Sequence, residues 1–172
     1  MADLAFNTAA GETVARKLLI LYLNTGESST PVWSPIGKRV EDSSMEYDWG
    51  AEEKTDIFGE TFSNLKAPVI KQTFDPYELD AADAAHVKIW NKAIKEQSAA
   101  GVANNDCLVV HAYAGTATTA VFAERYESCK VAPTGLGGSN NVAMPLDVTF
   151  GGRRTTGTAA VSGGTVTFTP DT

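Results

Sequence analysis

Histidine and cysteine are almost missing from this chain, two of each in 172 residues, and their scarcity closes off several kinds of chemistry. His86 and His111 fit no paired-histidine motif of a metal hydrolase. Cys107 and His111 would share a strand face, yet no second ligand pair follows at zinc-like spacing, so neither a metal nor a cofactor is expected. Cys107 and Cys129 lie in apolar strand-like segments, where free thiols behave as small hydrophobes, and buried free thiols are expected. Basic residues are also short: 14 Lys and Arg stand against 21 Asp and Glu, for a net charge of -7. Nucleic-acid affinity depends on cations that neutralise phosphates, and anionic membrane surfaces make the same demand, so both partners are disfavoured. No apolar run approaches the roughly 20 residues that cross a bilayer. The start, Met1 to Leu4, has neither a basic segment nor an apolar leader, and no Asn-x-Ser/Thr sequon occurs. A chain made and folded in a cytoplasm is expected. The cluster Gly135, Leu136, Gly137, Gly138 and Ser139 lacks the Lys-Ser/Thr of a phosphate loop and reads as a flexible loop.

What is present is an ordinary globular composition, 43% hydrophobic and 20% charged, enough for one core and one domain. From Ser44 to Glu52, Met45, Tyr47, Trp49 and Ala51 alternate with Ser44, Glu46, Asp48 and Glu52, the period-two signature of a strand with one core face. Between Glu41 and Glu60, Glu41, Asp42, Glu46, Asp48, Glu52, Glu53, Asp56 and Glu60 face a single Lys54. Strands over 43–51 and about 55–58, with a short one through Phe62, make this an acidic hairpin. No calcium-loop pattern accompanies it, and so dense a patch of like charge costs self-repulsion unless something exploits it.

Leu18 to Leu23 is nearly all apolar and predicts a strand covered on both faces. Pro31 and Pro35 confine the segment around Trp33 to a loop or an edge. Strands are predicted over 66–74, 107–113, 117–131 and 144–150, with Gly115 supplying a turn. Gly163 and Gly164 predict a two-residue hairpin turn in the tail. Leu79, Val87, Trp90 and Ile94 recur at helical spacing and predict a helix over 79–98 with Asp80 as N-cap and Asp83 at N3. The first dozen residues predict an arm, mobile in the free subunit together with part of Glu41 to Glu60. The class is α+β, mostly β: an antiparallel β-sandwich or open barrel with one flanking helix.

The order of these elements, with the Trp33 loop, the Met45-Glu46-Tyr47-Asp48-Trp49-Gly50 run, and Phe74-Asp75-Pro76-Tyr77 leading to the Trp90 helix, resembles the major tail tube proteins of long-tailed bacteriophages. The resemblance covers roughly Leu18 to Phe150. It implies a tail tube domain over 1–150, comprising the 1–13 arm, a stacking element over 41–62 and the helix, with 151–172 as a C-terminal arm or hairpin packed on the same domain. It further implies hexameric rings that stack into a virion tail tube, assembled in the host cytoplasm, through which DNA passes without specific binding. Implied partners are further copies of the chain, a tape measure protein, and tail terminator and baseplate or tip proteins; no membrane is among them. Asp42, Glu46, Asp48, Trp49, Glu52, Glu53, Asp56 and Phe58 would carry stacking, and Glu46, Asp48, Lys71 and Thr73 would face the bore. No catalytic residue is implied. The alternatives are an inner-tube protein of a contractile injection device and a monomeric sandwich binding carbohydrate or protein through Trp33 and Trp49. A small hydrolase using Asp48, Glu52 or Asp56 lacks any paired nucleophile and base.

Overall fold

The computed structural model describes residues 4–171. After a short 3-10 turn (Arg16–Leu18), the first strand β1 (Leu19–Asn24) is the apolar run, and both its faces are covered. Leu21 and Leu23 point into one core while Tyr22 and Ile20 point into another, as alternation along a strand requires. The strands that follow are β2 (Trp33–Ile36), β3 (Met45–Asp48), β4 (Glu52–Thr55), β5 (Thr61–Asn64) and β6 (Val69–Phe74). Helix α1 (Ala84–Trp90) runs into a π-helical turn (Asn91–Lys95), and α2 (Ala99–Ala103) precedes β7 (Asn105–Thr116) and β8 (Ala120–Pro133). The chain ends with β9 (Leu146–Thr149), β10 (Arg154–Ser162) and β11 (Thr165–Pro170).

The pairing is antiparallel throughout, in the order β2-β1-β7-β8-β9-β6-β3, and the result is the expected mostly-β class with a flanking helix. This ribbon curls rather than lying flat. A Cβ on Gly37, just past β2, would sit 3.2 Å from the Phe74 ring of β6, so strands far apart in the ladder come together. Inside the curl, Leu21, Leu23, Cys107, Val109, Val131, Leu146, Val148 and Phe74 form one core, with Ala85 and Ile89 of α1 packed against it. Tyr126 and Cys129 both reach that core although an odd offset separates them. A bulge between their partners Asn105 and Cys107 absorbs the extra residue. The opposite face of β1, β7 and β8 carries a second core that includes Trp33, Ala159 and Val166. The β10–β11 hairpin leaves β8 on this side, turning at Gly163 and Gly164 with φ of +56° and +81°, the left-handed pair that the glycines anticipate.

Several expectations are corrected. The helix begins after Asp83, whose side chain accepts from His86 N, while Asp80 Oδ1 accepts from Ala82 N in the preceding turn. Both aspartates satisfy an N-cap pattern, and Tyr77 selects between them, because its hydroxyl donates to Asp83 Oδ2 at 2.5 Å and accepts from Gly37 N at 3.2 Å. Tyr77→Phe leaves the buried Asp83 Oδ2 and the half-buried Gly37 N without that partner. The expected cost is about 1–3 kcal/mol, read as a lower urea midpoint at unchanged m-value. The β7–β8 turn falls at 117–119, with Thr118 in the left-handed region, and Gly115 instead sits at an irregularity in β7. The Gly135–Ser139 loop is pinned by a bridge from Gly137 to Ala143. Residues 1–3 of the expected arm lie outside the described residues, as does Thr172 of the tail. Ala5 to Asn7 are tied to the end of β7, where Asn7 N donates to Tyr113 O at 2.8 Å and Phe6 meets the Tyr113 ring edge-on.

Candidate functional site

The acidic segment divides into two pieces. β3 pairs with β6, Glu46 opposite Lys71, and so belongs to the main sheet. The hairpin proper is β4 with β5, a separate two-stranded unit between β3 and β6 in which Glu52 pairs with Asn64 and Thr55 with Thr61. This differs from the expected hairpin of 43–51 with 55–58. The alternation in 43–51 reports a true strand, but its partner is contributed from some 25 residues downstream. Asp56 builds the tip: its Oδ1 accepts from Phe58 N at 2.8 Å and Glu60 N at 2.9 Å. Lys66 Nζ reaches Glu52 Oε1 at 2.5 Å near the base of the hairpin, and Lys54 lies 3.6 Å from the other oxygen. Every residue from Glu52 to Asn64 is exposed, and at the tip Ile57 and Phe58 show 94% and 85% of their surface to solvent. Neighbouring hydrophobes rarely stay this bare in a monomer unless the patch is used.

Of the residues assigned to stacking, Glu52, Glu53, Asp56 and Phe58 share this hairpin. Asp42 lies in the loop before β3, and Glu46 and Asp48 lie on β3 itself. The four bore candidates do meet. Glu46 and Asp48 on β3 and Lys71 and Thr73 on β6 occupy one exposed face, because Val69, Lys71 and Thr73 alternate with buried Ile70, Gln72 and Phe74. Register carries that face onto Asp147 and Thr149 of β9, then Lys130 of β8. Its charge is therefore mixed, with Lys71 and Lys130 set among Glu46, Asp48 and Asp147.

The other face of β3 was expected to be core. Tyr47 and Trp49 are instead about half exposed and, with Ile70, Tyr126 and Phe150, wall an open cavity of about 580 Å³. At its edge sits a group that the sequence alone did not single out: Glu124, 7% exposed. His111 Nε2 lies 2.8 Å from its Oε1, while Tyr126 OH donates to Oε2 at 2.9 Å and Arg154 Nε at 2.5 Å. Burial pushes this carboxyl up, but the hydrogen bonds from His111 and Arg154, the Arg154 charge and the Tyr126 hydroxyl outweigh it and hold the pKa at about 2. The one available signal was a lone glutamate after the apolar run Ala120 to Ala123. Cys107, the suggested companion of His111, points into the first core beside Cys129. Their mutual hydrogen bond and burial raise the Cys107 thiol pKa. Trp33, offered as a sugar platform, is buried, with the Arg125 guanidinium 5.9 Å from its ring.

No family model matches the chain, and no curated protein matches it. Among solved structures it is similar to a chain of the sheath–tube complex of an extracellular contractile injection system, PVC, in the extended state. The two are 13% identical with a TM-score of 0.46, over 86% of this chain and 93% of that one. A chain of the sheath/tube terminator of the same system scores 0.49 at 13% identity, over 86% of this chain and 99% of that one. A chain of the anti-feeding prophage cap, the tube terminating cap, scores 0.47 at 17% identity, over 89% and 96%.

Proposed function

We propose that this chain is a structural subunit that assembles with copies of itself into stacked hexameric rings, forming the tube of a phage tail or of a related contractile injection device. The observation that carries the reading is the β4–β5 hairpin: fully exposed, acidic on its first strand and turn, and tipped by two bare hydrophobes. Charge keeps it soluble until a neighbour covers the tip. The sheet gives a second reason, since among the described residues β2, β3 and β11 each present an unpaired edge, and ring closure between copies protects such edges. In this reading the exposed face of β3, β6 and β9, with Glu46, Asp48, Lys71 and Thr73, lines the bore. Its mixed, slightly acidic charge offers DNA few cations to bind while the DNA passes. A tape measure protein during assembly, and terminator and tip proteins at the ends, are the partners such a tube requires.

The cavity beside Tyr47 and Trp49 favours a second reading, a monomeric module that binds a sugar or a protein there. Size separates the two. Purified protein at rising concentration is expected to give six-fold rings and stacked tubes in negative stain, with matching species in sedimentation velocity. Monomers alone across the whole range would overturn the assembly reading.

A further inference from the structure

Among the described residues the curled sheet does not close through backbone pairing, and the gap is a slot of about 240 Å³ between β1 and β2 on one side and β6 on the other. Side chains bridge it: Arg16 Nε donates to Ser43 O at 3.1 Å and its Nη1 to Leu19 O at 2.7 Å. The walls are Leu19, Leu21, Ile36 and Phe74, and the rim carries Arg16, Lys17 and Lys38 with one acid, Glu41. Arg39 adjoins the rim, and it and Lys38 reach Asp80 only at 3.7 and 3.9 Å. Four of the chain's 14 cations thus gather at one place on a protein of net charge -7. Gln72, 3% exposed, lines the slot. Its Nε2 donates to Ser43 Oγ at 3.0 Å, and its Oε1 has no hydrogen-bond partner among the described residues.

We propose that the slot receives the β4–β5 tip of a second copy of this chain. The tip has every feature the slot lacks. Phe58 and Ile57 supply apolar surface for the floor, and Glu53, Asp56 and Glu60 bring anions to the cationic rim. The contact is heterologous, tip to slot, so it propagates from copy to copy instead of closing a dimer. This inference rests on the self-assembly reading and names the surface that receives the hairpin.

Charge reversal tests it on residues that are all exposed, so the fold is kept. Lys17→Glu with Lys38→Glu on the rim, and Glu53→Lys with Glu60→Lys on the hairpin, are each expected to weaken self-association at least about tenfold in sedimentation velocity at low salt. The chain carrying all four substitutions is expected to recover most of that loss, because opposite charges face each other again. Two results overturn the slot while rings and tubes still form and the assembly reading stands: association unchanged by either pair, or no recovery in the fourfold variant. A wild-type chain that stays monomeric at every concentration overturns both.

Discussion

Ile57→Ser combined with Phe58→Ser is expected to leave the isolated subunit as stable as the wild type and to remove its ability to form tubes. The two halves of this result follow from one fact. Both side chains are almost fully solvated in the single chain, so folding does not use them, and substitutions at such positions usually change stability by less than about 0.5 kcal/mol. The proposed assembly does use them. Burying a side chain of either size is worth roughly 1.5–3 kcal/mol. After side-chain ordering is subtracted, about 3 kcal/mol per tip-to-slot contact is lost, or about a hundredfold in association. In the proposed tube every copy makes the contact, so losses would multiply along it. Unchanged thermal melting together with a critical concentration raised at least about a hundredfold checks the prediction. Normal tubes would show that the tip lies free in the assembly.

The division between legible and hidden follows the range of the interactions. β1 was readable because covering both faces of a strand needs an unbroken apolar run, and the β10–β11 hairpin because a two-residue turn with positive φ demands glycine at Gly163 and Gly164. That Glu46 and Asp48 share one face of their strand, and Lys71 and Thr73 one face of theirs, was readable, since period two decides which residues of a single strand point together. The pairing of β3 with β6 was not. Alternation declares a strand but not its partner, and the nearest candidate in sequence, 52–55, makes its own hairpin with 61–64. Likewise Asp80 and Asp83 are equivalent until the fold delivers Tyr77 to one of them. The Glu124 cluster draws on β7, β8 and β10, and the cationic slot draws on pairs of residues some 20 positions apart. Neither has a local signature.

Acid titration is expected to unfold the protein in a way that traces to Glu124. Its folded pKa of about 2 lies below the ordinary 4.5. The unfolded chain therefore takes up the proton first, and stability is lost as pH falls. The contribution is whole above pH 4.5 and gone once pH has dropped through 2. At 1.36 kcal/mol per pKa unit it is worth about 3 kcal/mol. Because Glu124 is buried, little of this is screened by solvent. Glu124→Gln keeps the shape but cannot accept from both Tyr126 and Arg154 at Oε2 while Oε1 serves His111, so the variant is expected to lose most of that stability at pH 7. For a chain of this length the loss corresponds to a melting temperature lower by roughly 6–12 °C. Its melting temperature is also expected to change less than the wild type's between pH 4.5 and 2. His86, whose pKa burial pushes down from 6.5, acts in the same direction but higher on the scale. Of the pH dependence that the variant keeps, His86 supplies the part that begins below 6.5, and Asp80, whose carboxyl the Ala82 N–H holds below its usual range, adds to it at lower pH. Equal melting temperatures for wild type and variant at pH 7 would mean that the four-residue cluster holds nothing together.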